Sequence, residues 1–352
     1  MAANSAADSG PLPAPLWPLT RDRWGQRKSA APRKSPFAMR AGGSISLLMP
    51  SQPPPDPTPP RLFDRDRVAR NRNRAAAQFA NYDFLKARVS SDIADRLANT
   101  SHVFPRALDL GAHDGQLAGL IRAGKQVETV EAGDLSERMV ALAEAGGLHA
   151  RLMDEENPGL AAGSYDLIVS ALSLHWVNDL PGTLIQIRNA LKPDGLFLGA
   201  LFGAGTLAEL RACLMEAETE LRGGVAPRVS PLPGLRDMAS LMQRAGYALP
   251  VVDRDTVVVR YADPMTLLED LKGMGERAAF SAGTMRPLTR SVLHRALELY
   301  REGFSDADGK VRATFEIVHL SGWHPADSQP KPLKPGSARA SLADAVKGHR
   351  QS

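Results

Sequence analysis

The sequence predicts an α/β protein with a doubly wound, Rossmann-like sheet, and three observations support this expectation. From Arg106 onward, short apolar runs alternate with longer amphipathic runs, which is the pattern of successive βαβ units. A glycine-containing loop follows the first apolar run. Acidic residues follow the next two runs, where the carboxyl ends of parallel strands form a crevice for ligands.

The elements can be assigned in chain order. Residues 62–98 contain no proline or glycine, and Val68, Phe79 and Leu85 recur at helical spacing, so helical structure is expected from Leu62. Strands are expected at 107–110, 127–130, 148–153, 165–172 and 196–202, with helices at 116–122, 137–145 and 180–191. Residues 206–323 are expected to form a C-terminal cap region, with helices at 207–221 and 285–300 and strands at 256–261 and 312–320.

Composition excludes several classes of protein. The chain has 352 residues, 43% hydrophobic and 23% charged, and no apolar run approaches the roughly 18 residues of a spanning helix. At most a peripheral membrane association is expected. Because Cys213 is the single cysteine, a disulfide framework and a cysteine-based metal site are excluded.

The net charge of +4 resides in the N-terminal segment. Residues 1–61 contain 8 Lys+Arg and 3 Asp+Glu, whereas the remainder contains 35 and 36. A nucleic-acid partner is therefore not expected, because phosphate binding needs a basic face on the folded part.

Residues 1–61 also hold 13 of the 27 prolines, which predicts a disordered, basic tail. Residues 21–46 have the composition of a mitochondrial transit peptide; the alternative is that residues 1–48 precede a true start at Met49. We expect a ligand-binding domain over 62–205, the cap region over 206–323 and a flexible C-terminal tail over 324–352.

The loop after the first strand carries the predicted chemistry. Asp109-Leu110-Gly111-Ala112-His113-Asp114-Gly115 precedes a helix, whose N-terminus offers unpaired N–H groups. Asp134 follows the second strand, 23 residues after Gly111, where an acid bonds the ribose of an adenosine ligand. A dinucleotide fingerprint and an ATP phosphate loop are both missing.

The spacing resembles motif I of class I S-adenosylmethionine (SAM) methyltransferases, D-x-G-x-G-x-G, with His113 in place of the middle glycine. Residues 154–156 (DEE) resemble the site of that family where an acid, here Asp154, receives the adenine amino group. Residues 165–170 (YDLIVS) resemble a later motif. Each acid taken alone could instead cap a helix. The resemblance implies SAM as cofactor, bound by Asp109, Gly111, Ala112, Gly115, Asp134, Leu135, Asp154, Glu155 and Ser170.

Further strings resemble one branch, the complex I assembly factor 5 family: residues 173–182 (SLHWVNDLPG), 205–211 (GTLAELR), 243–247 (QRAGY) and 270–276 (DLKGMGE). Biotin-pathway malonyl-carrier-protein O-methyltransferases are similar over the SAM domain. The resemblance implies a protein substrate, for which a peripheral-arm subunit of complex I is one candidate. Methyl transfer is the leading hypothesis for the reaction, and arginine hydroxylation of a complex I subunit is the alternative. A non-catalytic, SAM-binding assembly chaperone stays open as a third hypothesis.

The candidate catalytic residues are His175, Trp176 and Asp179, which follow the fourth strand. The alternatives are a packed aromatic pair and a helix cap. No histidine precedes Asp or Glu by two positions, so no metal site is expected. The expected location is the bacterial cytoplasm, with the mitochondrial matrix as alternative. Five arginines are expected either on a solvated helix face or in a basic collar over an anionic ligand: Arg65, Arg67, Arg70, Arg72 and Arg74.

Overall fold

A computed structural model describes residues 61–281 and 286–330. The tail expected over 1–61, apart from Arg61, lies outside the described residues. So do most of the C-terminal tail and the first residue of the helix expected at 285–300.

The described chain forms a seven-stranded sheet in the order β3-β2-β1-β4-β5-β7-β6. Strands β1 to β5 are parallel, and β7 runs antiparallel to both of its neighbours. The predicted doubly wound α/β fold is therefore confirmed. The strands are β1 (Phe104–Leu110), β2 (Val127–Asp134), β3 (His149–Leu152), β4 (Tyr165–Ala171), β5 (Leu191–Phe202), β6 (Ala248–Tyr261) and β7 (Val311–Trp323).

The helices connect and cover these strands. Two of them, α7 and α8, were not predicted from the sequence. The stretch 62–98, expected to be helical, is divided by a 3₁₀ turn at Ala76–Asn81 and a bend at Tyr82 and Asp83. The helices are α1 (Arg65–Ala75), α2 (Phe84–Ala98), α3 (Gln116–Ala123), α4 (Glu137–Ala145), α5 (Leu180–Ala190), α6 (Ala208–Arg222), α7 (Leu235–Arg244), α8 (Pro264–Gly273) and α9 (Arg290–Phe304).

The sheet is buried on both faces. Because side chains alternate along a strand, Leu167 and Val169 of β4 face one hydrophobic cluster, and Ile168 faces the other. Helices α2, α3, α6 and α9 cover the first face, while α5 and α7 cover the second. Strands β6 and β7 extend the same sheet, so the region 206–323 contributes to the central layer; the division at residue 205 remains a prediction.

Helix α1 lies over the carboxyl ends of the strands because the residues before it are anchored there. The ring of Phe63 packs edge-on against Trp176 at 5.2 Å, and its N–H donates to Asn178 Oδ1 at 2.7 Å. The carboxylate of Asp64 caps the helix by accepting the N–H of Arg67 at 3.0 Å. These contacts bring the arginines of α1 to the predicted cofactor site.

Candidate functional site

The glycine loop joins β1 to α3 at the carboxyl edge of the sheet. The N–H groups of Gly111 and Ala112 donate to Gly133 O at 2.8 and 3.0 Å, which ties the loop to the end of β2. Asp109 is fully buried, and its Oδ2 accepts the N–H of Ala118 at 3.0 Å. Burial raises the pKa of Asp109 to about 6. Asp109 therefore stabilises the first turn of α3 through a buried hydrogen bond.

Gly111 makes room for the protein's own side chains. Its φ of +75° lies in the left-handed region, and a Cβ there would come within 2.0 Å of Ser173 Oγ and 3.0 Å of Glu155 Oε1. The space is occupied by Ser173.

Asp134 ends β2 and is almost completely buried. Its Oδ1 accepts the N–H of Ser136 at 2.8 Å. Its Oδ2 accepts the N–H of His113 at 2.9 Å and the guanidinium of Arg72 at 3.0 Å. Asp134, the acid predicted to bind ribose, thus accepts three hydrogen bonds from the protein, one of them from Arg72 of α1.

Glu155 lies at the centre of this charged cluster. Its Oε1 accepts hydrogen bonds from Arg72 and Ser173 Oγ, both at 2.5 Å, and its Oε2 pairs with Arg65. Burial opposes the charged carboxylate, yet Arg72 and Arg65 hold the pKa of Glu155 well below its ordinary value. Burial likewise disfavours the charge on Arg72, but Asp134 and Glu155 keep its pKa above the ordinary value. Both groups are therefore charged in the folded protein.

Asp154, predicted to receive the adenine amino group, is bonded to the same helix. Its Oδ1 accepts from Arg65 Nε at 3.1 Å and Nη2 at 2.6 Å. It also accepts the N–H of Glu156 at 2.9 Å. Arg65 therefore bridges Asp154 and Glu155, at the end of β3.

Lys86 reaches the loop from α2. Its Nζ lies 3.1 Å from Gly111 O, 2.7 Å from Ala171 O and 3.1 Å from His113 Nδ1. The two carbonyl oxygens accept from the ammonium group, and His113 Nδ1 accepts its third N–H in the tautomer that carries the ring proton on Nε2. Burial lowers the pKa of Lys86. The ring of His113 stacks on Phe79 at 5.5 Å, and burial lowers its pKa well below the ordinary value.

The candidate catalytic residues separate into two groups. Buried His175 and Trp176 both contact one carboxylate oxygen, Glu276 Oε2, at 3.0 Å from His175 Nε2 and 2.8 Å from Trp176 Nε1. Asp179 is exposed, and its Oδ1 caps α5 by accepting the N–H of Gly182 at 2.9 Å. Proximity to the fourth strand was therefore a poor guide for Asp179.

Other predicted residues lie apart from the acid cluster. Ser170 is buried inside β4, and its hydroxyl has no hydrogen-bond partner; the serine in the cluster is Ser173. Leu135 packs with the group of Phe63 and Trp176. Gly115 has a φ of +84° at the start of α3, and a Cβ there would meet a side chain of the core.

A cleft of about 650 Å³ opens beside this edge of the sheet. A second cavity, of about 20 Å³, lies between it and the glycine loop, and Phe202 and Glu276 line both. Apolar side chains form most of the cleft wall, with a few charged ones among them: His175, Trp176, Phe202, Leu207, Leu210, Leu214, Leu268, Leu271, Phe315, Arg228, Lys272, Glu276 and Arg277.

Residues 61–281 and 286–330 contain neither a metal-binding cluster nor a membrane-spanning helix. No group of three histidine, cysteine, aspartate or glutamate side chains is arranged to hold a metal ion there. Within the same ranges, no helix combines the length and apolar character of a bilayer-spanning segment.

The hydrogen-bond acceptors at this site fit the polar groups of SAM. Ribose hydroxyls, an adenine amino group and an ammonium group all need acceptors, and Asp134, Asp154 and the Gly111 carbonyl supply them at neighbouring strand ends. In the described conformation these acceptors are bonded to Arg72, Arg65 and Lys86. The 20 Å³ cavity beside the loop has about the space of one water molecule.

The arginines were the main functional residues whose role the sequence analysis missed. Arg70 and Arg74 are exposed, as a solvated face requires, but Arg72 is 1% exposed and Arg65 points inward. Both contact acids of the same chain, so the hypothesis of a collar over an anionic ligand is wrong for them. One signal was present: Arg72 follows Val68 by four residues and precedes Ala75 by three, on the apolar stripe of α1.

Comparisons with known proteins agree with this architecture. A family profile described as "Methyltransferase domain" matches residues 64–250. The mouse protein "Arginine-hydroxylase NDUFAF5, mitochondrial" (Mus musculus) is 39% identical over 322 residues, which are 89% of this chain and 92% of that protein. Its Homo sapiens counterpart is 38% identical over 340 residues, 94% and 95% of the two chains.

A second kind of relative is more distant. The "Malonyl-[acyl-carrier protein] O-methyltransferase" of Laribacter hongkongensis (strain HLHK9) is 32% identical over 286 residues, 78% of this chain and 94% of that protein. The identity and the coverage of this chain are both higher for the mouse and human proteins. The chain therefore belongs to the NDUFAF5 family, whose methyltransferase domain is of the SAM-dependent type.

Proposed function

We propose that this protein modifies an arginine side chain of a protein during the assembly of respiratory complex I. Hydroxylation is the leading reaction, because the relatives with 38–41% identity over most of the chain are named arginine hydroxylases. This reaction converts a C–H bond to C–OH and consumes O2 with two electrons and two protons from a co-substrate, and the second oxygen atom leaves as water. Methyl transfer is the second candidate, and the methyltransferase domain supports it. The complex I assignment rests on the resemblance of the sequence to the assembly factor 5 family.

The observation that carries the arginine assignment is the position of Glu276. This carboxylate lines both the 650 Å³ cleft and the small cavity that reaches the glycine loop. A substrate side chain that enters the cleft would therefore meet Glu276 next to the cofactor site. A carboxylate is the side chain that pairs best with a guanidinium group.

The surroundings of Glu276 suit a long cationic side chain. Apolar walls such as Leu210 and Phe315 can cover the methylene groups of an arginine while its charged end reaches the carboxylate. Trp176 Nε1 and His175 Nε2 both contact Oε2 of Glu276, so the carboxylate is oriented before substrate enters. Such fixed orientation lowers the entropic cost of binding.

Mass spectrometry of complex I subunits tests this proposal. Cells lacking the protein are compared with cells that express the parent chain, Glu276→Gln or Glu269→Gln. Glu269 lines the same cleft but is exposed, so it is the matched control. We expect the parent and Glu269→Gln to add one oxygen atom to an arginine, and Glu276→Gln to reduce the modified fraction at least about tenfold, since charge-assisted bonds contribute about 1.5–3 kcal/mol.

The other outcomes decide between the hypotheses. Addition of a methylene group to an arginine would support methyl transfer and contradict hydroxylation. An unmodified arginine in every strain, together with an assembly defect in the deletion, would support the non-catalytic chaperone. If Glu276→Gln keeps full activity, the carboxylate of Glu276 does not take part in substrate binding.

The location belongs to the proposal as well. The mouse and human relatives are described as mitochondrial, which favours the matrix alternative over the bacterial cytoplasm. Organelle fractionation or, in a bacterium, cell fractionation followed by immunoblotting would decide between the two.

A further inference from the structure

Three cations of the protein occupy the positions that the cofactor's polar groups need. Arg72 donates to the ribose acid Asp134, and Arg65 donates to the adenine acid Asp154. Lys86 donates to Gly111 O, as a ligand ammonium group would. The protein's own cations are therefore hydrogen-bonded to the acceptors of the predicted cofactor site.

We propose that helix α1 is an internal competitor of SAM: Arg65 and Arg72 close the site, and SAM binds when α1 withdraws. The inference does not depend on which substrate is modified, since it concerns only the cofactor site and the helix above it. It implies that the affinity for SAM is set by the stability of the closed state as well as by the contacts that SAM makes.

The closed state is favoured by charge. Asp134 and Glu155 have side chains that are 1% and 0% exposed, and Arg72 is 2% exposed. Withdrawal of the arginines leaves these acids without cations in a desolvated site, which is strongly unfavourable. In the open state, the ribose hydroxyls and adenine amino group of SAM donate hydrogen bonds to Asp134 and Asp154 in place of the arginines. Ligand and helix therefore compete for the same acceptors.

Withdrawal of α1 separates two small clusters, that of Val68 with Trp176 and Phe280 and that of Ala75 with Met139, but the main hydrophobic cluster contains no residue of α1. Helix α2 is anchored by Leu85, Val89 and Ile93, which are 0–2% exposed. Between α2 and α1 lie the 3₁₀ turn Ala76–Asn81 and the bend at Tyr82. Short 3₁₀ segments next to α-helices often mark hinges. Withdrawal of α1 would therefore bend the chain in this segment and leave α2 in place.

Glu155 distinguishes competition from ordinary cofactor binding. Arg65, Arg72 and Ser173 all contact its carboxylate, whereas SAM has Asp134 and Asp154 for its ribose and adenine. Glu155→Gln keeps the size of the side chain and removes the charge that holds both arginines. Competition predicts that this variant opens the site; a direct role of Glu155 in SAM binding predicts the opposite.

Isothermal titration of the full chain with SAM measures this effect. We expect Glu155→Gln to bind SAM about tenfold more tightly than the parent, or tighter. Glu144→Gln, an exposed acid on α4, is the control and should match the parent. Weaker or unchanged binding by Glu155→Gln, or no binding by either protein, would overturn the proposal.

Hydrogen exchange of the unaltered chain gives a second test that does not depend on the folding of a variant. If SAM displaces α1, the amides of Arg65–Ala75 exchange faster with SAM than without it. Slower exchange in this helix on addition of SAM would mean that α1 closes over the cofactor, and would contradict competition.

Discussion

Arg72 on α1 and Asp134 at the end of β2 form an ion pair with an N–O distance of 3.0 Å, and their side chains are 2% and 1% exposed. The two residues are 62 positions apart in the chain. The pair joins the N-terminal helix to an acid of the predicted cofactor site, and Glu155 receives a second bond from the same Nη1 atom. One guanidinium group thus stabilises the fold and, in the competition proposed above, also closes the cofactor site.

Replacement of Arg72 should destabilise the protein far more than replacement of a neighbouring arginine. Arg72→Met leaves Asp134 and Glu155 buried without their cation, which should lower the free energy of unfolding by about 3–5 kcal/mol. Arg70→Met is the control, because Arg70 is 52% exposed and pairs with Asp64 at 3.5 Å; such pairs contribute at most about 1 kcal/mol. Urea denaturation measures both, and equal losses would contradict the buried role of Arg72.

Substitutions at two glycines with nearly equal φ angles distinguish the cost of backbone strain from the cost of a steric conflict. Gly111 and Gly147 have φ values of +75° and +76°, but only Gly111 has a neighbour where a Cβ would stand. Gly147→Ala should cost about 1 kcal/mol from backbone conformation alone. Gly111→Ala should cost at least about 1–3 kcal/mol more, because its Cβ displaces Ser173. Thermal or urea unfolding of both variants provides the comparison, and similar losses would show that Ser173 moves aside freely.

His113 should make the protein sensitive to mild acid. Its pKa in the folded state lies well below the ordinary value because burial disfavours the charge, whereas the unfolded chain titrates near 6.5. The unfolded state therefore binds more protons below about pH 6.5. As the pH is lowered through this range, the free energy of unfolding should decrease by up to about 1.4 kcal/mol per pH unit.

His113→Asn should reduce this slope, because asparagine tolerates the positive φ of 54° and does not titrate. The pKa of Asp109, raised to about 6 by burial, works in the opposite direction: stability rises as this acid takes up its proton below about pH 6. Since Asp109 is present in both proteins, the difference between their unfolding free energies at several pH values isolates His113. Identical slopes would show that His113 is not the acid-sensitive group.

Much of the sheet and one edge of the site could be predicted from the sequence. The expected helix over 137–145 coincides with α4, and the other strands and helices of the first half differ mainly at their ends. Asp134 and Asp154 do lie at the ends of neighbouring strands, as their spacing indicated. Helix α7 was missed although its apolar residues recur at helical spacing and pack on the second cluster: Leu235, Met238, Leu241 and Met242.

The sequence by itself determined the order of the βαβ units, the glycine loop and the acids at the strand ends, because hydrophobic period and spacing are local properties of the chain. Only the tertiary structure decided which groups those acids bind. Arg65 and Arg72 meet Asp154, Glu155 and Asp134 across 62 to 90 residues, through the packing of Phe63 on Trp176. That packing depends on residues from distant elements, so no local pattern shows whether an arginine of α1 faces water or the cofactor site.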